Sequence, residues 1–198
     1  MKILFRSFIS SINVLLPLFL SLITLTLLLF TLPLTLVQSG EEVPIQEEYL
    51  IKNVPFFSQE EHQCGPASLA SVLNFWGAAI SPEKVAKEIY SQSAKGTLWI
   101  DLALYAREQG FSAMQYYGHW EDLKENIRAG FPLIVFVDYG ISAIQANHFM
   151  VVVGCNKDGV IVHSGKERER FEKKKKFMKA WRKTQNWTLL IKPYQSIM

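Results

Sequence analysis

Apolar positions recur with a helical period in the first half of the chain beyond residue 48 and in short continuous runs in the second. Leu69, Val72, Leu73 and Trp76 sit at the i, i+3, i+4, i+7 spacing of one helix face, with Pro66 suited to a first turn and Gly77 to a stop. Ser81-Pro82-Glu83 supplies a cap, a proline and an acid for a second helix running to about Tyr90. Further helices are expected from about Leu98 to Gln109 and from Trp120 to Ala129, closed by Gly110 and Gly130 in left-handed caps. Strands follow: Pro132 to Tyr139, His148 to Gly154, Val160 to His163 and Trp187 to Lys192 are rich in Val, Ile, Phe and Leu. Asn156-Lys157-Asp158-Gly159 reads as a hairpin turn. A helical block followed by an antiparallel sheet is an α+β layout.

The amino terminus has a different pattern. Ser7 to Gly40 contains no charged residue in 34 positions, behind the basic residues Lys2 and Arg6. The segment reads as a signal peptide, with Val37 and Ser39 framing a cut after Ser39, or as a transmembrane anchor, since Ile12 to Val37 exceeds the ~20 residues needed to span ~30 Å of hydrocarbon. In either reading the rest of the chain lies on the extracytoplasmic side: at the cell membrane if the segment stays, secreted or periplasmic if it is cleaved. Residues 41–48 form an acidic linker, which leaves 49–198 as one domain of ordinary size.

Composition narrows the class. Of the 198 residues, 49% are apolar and 20% charged, which is compatible with a packed core and excludes a disordered chain. Two cysteines, Cys64 and Cys155, allow no disulfide framework and no CxxC zinc site. The net charge of +3 is unevenly spread: 41–156 carries 7 basic against 14 acidic residues, and 165–183 carries 10 against 3. The run Lys173 to Lys176, with Phe171, Phe177, Met178 and Trp181, reads as one amphipathic surface helix and not as a nucleic-acid binder, although contact with anionic lipid is conceivable.

Chemistry concentrates in two places. Cys64 opens the first helix within Gln59-Glu60-Glu61-His62-Gln63-Cys64-Gly65-Pro66-Ala67, where unpaired N–H groups and the positive end of the helix favour thiolate. Gly65 leaves the backbone approachable, so a nearby N–H could help hold an oxyanion. His148 stands at the mouth of an apolar strand with no polar partner in that strand, the place for a base that takes the proton of Cys64 and returns it to a leaving amine. His62, His119 and His163 have weaker claims, and a metal site from His62, Cys64, His148 and Cys155 lacks a recognised ligand spacing.

Three segments, Val54-Pro55-Phe56-Phe57-Ser58-Gln59, Gln63-Cys64-Gly65-Pro66-Ala67-Ser68-Leu69-Ala70 and Asn147-His148-Phe149-Met150-Val151-Val152-Val153-Gly154, together resemble the C39 cysteine peptidase family, in its stand-alone form. The resemblance spans about Val54 to Ser164. It implies a papain-like α+β fold, a Cys64–His148 nucleophilic pair, an oxyanion donor at Gln59 with Gln63 as fallback, a peptide or protein substrate and no cofactor. Two positions depart from the pattern. Gln59 stands five places before Cys64, where the family usually has six. Ser164, followed by Gly165, occupies the place of the Asp, often followed by Pro, that orients the histidine. Ser164 is therefore the candidate third member, with Asp158, Glu167 or Asn147 as groups that could reach the ring from elsewhere. The expected activity is peptide-bond hydrolysis by an exported or membrane-tethered cysteine peptidase. The alternatives are a catalytically impaired domain that binds peptides and, less favoured, acyl transfer by the same pair.

Overall fold

The structure is a computed structural model that describes residues 48–59 and 63–194. These belong to one of two compact units into which the chain divides, Gln46–Met198. The apolar amino-terminal run, most of the acidic linker and His62 lie outside the described residues. Among the described residues no helix is long and apolar enough to cross a membrane.

Among the described residues nine strands and five helices follow in the order β1 (Tyr49–Leu50), α1 (Cys64–Phe75), α2 (Pro82–Ile89), β2 (Tyr90–Ser91), β3 (Gly96–Thr97), α3 (Trp99–Glu108), β4 (Phe111–Tyr117), α4 (Trp120–Arg128), β5 (Leu133–Asp138), β6 (Asn147–Cys155), β7 (Gly159–Ser164), β8 (Glu167–Lys173), α5 (Lys174–Arg182) and β9 (Trp187–Pro193). The main sheet runs β4-β9-β5-β6-β7-β8, every pair antiparallel, with β1 pairing to the far end of β6. A separate hairpin joins β2 to β3.

The sheet lies between two helical layers, so helices and strands alternate more than a helical block followed by a sheet would. Side chains alternate across a strand, and β6 shows the consequence: Phe149, Val151 and Val153 enter one core with Leu69, Leu73 and Leu102, while Met150 and Val152, joined by Cys155 beyond a register shift at Val152–Gly154, enter the other with Leu123, Phe177 and Trp181. α1 carries buried residues on all sides from Gly65 to Leu73, as a helix between a sheet and other helices must. Its end is sealed by Asn74, whose side chain bonds Ala70 O (2.8 Å) and Ile80 O (2.6 Å), and by Gly77 in the left-handed region.

Five strands carry no sequence signal strong enough to read: the two-residue β1, β2 and β3, and the longer β4 and β8. β8, Glu167–Lys173, alternates charges along an exposed edge, and Phe171, grouped above with the basic helix, lies in this strand. β4 breaks its aromatic and apolar residues with Ser112 and Gln115 and has no β-branched residue, and it pairs with β9 over its full length. The helix expected around the lysine run is α5, with Phe177, Ala180 and Trp181 buried; Lys174 lies over the Trp120 ring and Lys176 reaches Glu172 (2.8 Å).

Candidate active site

α1 begins at Cys64 because Gly65 and Pro66 occupy positions whose N–H groups have no intrahelical partner, where proline is tolerated. Gly65 is also needed for space. A Cβ there would stand 3.0 Å from Thr97 Cβ and 3.5 Å from the Phe149 ring, so the β2–β3 hairpin closes directly over the helix start. Cys64 is half-buried against the first core and lines a cleft of about 550 Å³ with Gln59, Thr97, Trp99, His148 and Gly165. The three residues singled out from the sequence, Cys64, His148 and Gln59, thus share one cavity wall.

The N–H of Phe149, next to His148, and those of Gly65 and Cys64 all lower the Cys64 pKa, but burial outweighs them and the thiol lies above its ordinary value. This differs from the thiolate expected at a helix start: the helix N–H groups reach the sulfur, yet desolvation of the anion is larger. His148 is pushed down to about 4, first by burial and then by the positive charge of Arg170. Both groups therefore rest neutral at pH 7.

Gln59 is held in one orientation. Its backbone N–H donates to Gly165 O (2.8 Å), and Gly165 N–H donates to its Oε1 (2.9 Å). A backbone donor needs an acceptor, so Nε2 must point the other way, towards α1, where it lies 3.4 Å from Ser68 Oγ. The clamp requires an N–H at residue 165, which proline lacks, and a left-handed backbone (φ 61°), which glycine adopts freely. Replacing Gln59 with Glu keeps the acceptor for Gly165 and removes the donor. For a peptidase whose oxyanion is held by Gln59, the reading proposed below, loss of that donor costs about 10²–10³ in rate, so kcat should fall by about that factor in Gln59→Glu and in Gln59→Ala, with KM little changed in initial-rate assays. Gln63, the fallback, is the N-cap residue of α1, makes no side-chain capping bond and is not among the cleft-lining residues.

Ser164 does meet the histidine: its Oγ is 2.9 Å from His148 Nε2, and it is 2% exposed. The other groups considered do not take that place. Asp158 N and Gly159 N donate to Asn156 Oδ1 in the β6–β7 turn, Glu167 pairs with Arg170 Nη1 (3.1 Å), and Asn147 lines the cleft facing Gln145 Oε1 (3.5 Å). A residue without an earlier role appears instead: Arg170 of β8 donates from Nη2 to Ser164 Oγ (3.3 Å) and pairs with the buried Glu172 (3.5 Å).

The other two described histidines, His163 and His119, are structural. His163 Nδ1 accepts from Glu169 N–H (3.1 Å), so Nε2 donates to Val54 O (3.1 Å), tying the segment before Gln59 to β8. His119 caps α4, its Nδ1 accepting from Asp122 N–H (3.0 Å). Cys155 lies in the second core, apart from Cys64 in the first, and no cluster of three potential metal ligands occurs among the described residues.

Burial also depresses the His163 pKa. Between pH 6.5 and about 4 the unfolded chain binds a proton that folded His148 refuses, and the lowered His163 adds in the same direction, so stability should fall as pH falls through that window. The His148 share is at most about 3 kcal/mol, reduced by solvent screening. Urea midpoints at pH 7 and 4.5 check this; equal midpoints would contradict it.

The Peptidase_C39-like family matches residues 51–189. The chain belongs to the C39-like peptidase family. The match begins before Val54 and runs past Ser164 to take in α5 and the start of β9. The fold agrees with solved members. A Bacillus anthracis protein described as a C39-like peptidase superposes with a TM-score of 0.63 at 16% identity, over 76% of this chain and all of that one. The peptidase domain of Streptococcus ComA, a bifunctional transporter of a quorum-sensing pathway, gives 0.58 at 21%, over 70% and 96%. A double-glycine-motif protease from a transporter, in complex with its leader peptide, gives 0.58 at 23%, over 75% and 99%. No curated protein matches the chain.

Proposed function

We propose that this C39-like protein is a cysteine peptidase in which Cys64 attacks a peptide carbonyl and His148 moves the proton. The supporting observation is the convergence of Cys64, His148 and a pinned Gln59 amide on one cleft. Because both groups rest neutral, the thiol proton passes to His148 as sulfur bonds to the carbonyl carbon. The accepting atom is Nδ1, in the tautomer whose Nε2–H donates to Ser164 Oγ. The resulting oxyanion accepts from Gln59 Nε2–H and the Cys64 backbone N–H. His148 then returns the proton to the departing amine, leaving a thioester at Cys64, and water, deprotonated by the same ring, releases the acid.

An extended peptide segment suits the site. The cleft continues into a second depression of about 280 Å³, sharing Trp99, Phe136 and Asn147, and Trp99 is 47% exposed at the junction. A leader peptide bound to one solved family member supports a peptide occupant. The basic start and uncharged run of residues 1–40 support a place at the extracytoplasmic face of the cell membrane, tethered or released.

A second reading, peptide binding with little turnover, is favoured by Ser164 and Arg170 standing where a carboxylate would raise the basicity of His148. Incubating the full-length protein with a peptide library and reading new termini by mass spectrometry separates the two. Cleavage that disappears in Cys64→Ala supports the peptidase. Capture of peptides without cleavage, in both the native protein and Ser164→Asp, supports the binding module.

A further inference from the structure

Resting on the peptidase reading, we propose that Arg170 is a positioning residue for His148: acting through the Ser164 hydroxyl, it keeps the imidazole neutral with its proton on Nδ1, the nitrogen left to face the cleft. A serine hydroxyl has two lone pairs and one proton. Arg170 can only donate, so its Nη2–H occupies one lone pair of Ser164 Oγ (3.3 Å). The hydroxyl can then accept from Nε2–H or donate its own proton to Nε2, 2.9 Å away. Donation from a guanidinium polarises the hydroxyl, making the oxygen a poorer acceptor and the O–H a better donor. The second arrangement is favoured, and the ring carries its proton on Nδ1. Proton transfer from Cys64 to Nδ1 then requires the ring to lose its Nδ1 proton to water and take one on Nε2, with the hydroxyl rotated to accept from Nε2–H.

The guanidinium is built into this position. Nη1 pairs with Glu167 (3.1 Å) and Nη2 with Glu172 (3.5 Å), which is 3% exposed and also bound by Lys176. The other charged or titratable groups on elements around the ring have their own places. Asp138 at the end of β5 accepts from Gly140 N (2.7 Å) and Ala146 N (2.8 Å) and pairs with Lys183 (3.7 Å). Lys95 lies in the β2–β3 hairpin across the cleft, and Cys64 is uncharged. Arg170 is the cation hydrogen-bonded to the histidine's own partner, and its charge disfavours the imidazolium.

The test is ring-nitrogen NMR of histidine-labelled full-length protein, which needs no turnover. The native protein should show a neutral, Nδ1-protonated His148 down to pH 5. Arg170→Met should raise its titration midpoint by about one pH unit or more and move the neutral proton to Nε2. Arg170→Lys, keeping the charge, should lie between the two. Should Arg170→Met not fold, Ser164→Ala leaves the Arg170–Glu172 pair intact and should also release the tautomer. An unchanged midpoint and tautomer in a folded variant overturns the assignment. A ring that responds as expected in a protein that cleaves no peptide refutes the peptidase reading and leaves the role of Arg170 standing.

Discussion

Ser164→Asp should raise kcat/KM for peptide hydrolysis by about 10²-fold. The position is within reach of His148 Nε2 and Arg170 Nη2, so a carboxylate there gains a cationic partner and is not left buried alone. Unlike the hydroxyl, an ionised carboxylate only accepts. It fixes the proton on Nε2, frees Nδ1 to take the Cys64 proton, and stabilises the imidazolium that forms. Loss of this role costs ~10⁴ in serine peptidases; the gain here is set lower because Arg170 neutralises part of the new charge. The same variant should move the His148 pKa up from about 4 and increase alkylation of Cys64 at pH 7. Ser164→Asn, similar in size and uncharged, separates charge from shape and should give no comparable gain. An Asp variant no faster than the native protein would show that basicity of His148 does not limit the reaction.

Cys64→Ala should abolish hydrolysis, a loss on the order of 10⁴-fold or more, because it removes the sulfur that attacks the carbonyl in the proposed reaction. Cys155→Ala is the matching control. Its sulfur is 1% exposed in the second core, so the change should lower stability modestly and leave the rate alone. Initial rates on one cleaved peptide, with Tm for each variant, distinguish lost chemistry from lost folding.

What could be read from sequence followed local signals. α1, α2, α3 and α4 announced themselves through helical periodicity, Ser81-Pro82 and the glycine stops, and β5, β6, β7 and β9 through β-branched runs. β8 was missed because an exposed edge strand of Glu, Arg and Lys has the composition of a solvated loop, and with it went Arg170. Cys64 and His148 were legible as residue types at a helix start and a strand mouth, and Gln59 only through the family resemblance. The charge state of the pair was not, because it depends on how far the folded chain shields the sulfur from water, which outweighs the helix N–H groups. The Gly165 clamp on Gln59 depends on a left-handed turn meeting a loop 106 residues earlier in the chain, a pairing no local pattern encodes.

The attack of Cys64 on a peptide carbonyl is tested most directly by trapping its product. Full-length protein mixed with a cleaved peptide and quenched in acid within the first turnovers should carry the acyl half of that peptide as a thioester on the fragment containing Cys64. The adduct should be absent from Cys64→Ala and more abundant early in Ser164→Asp. Cleavage that proceeds with no adduct on that fragment, or with the label on Cys155, would contradict it.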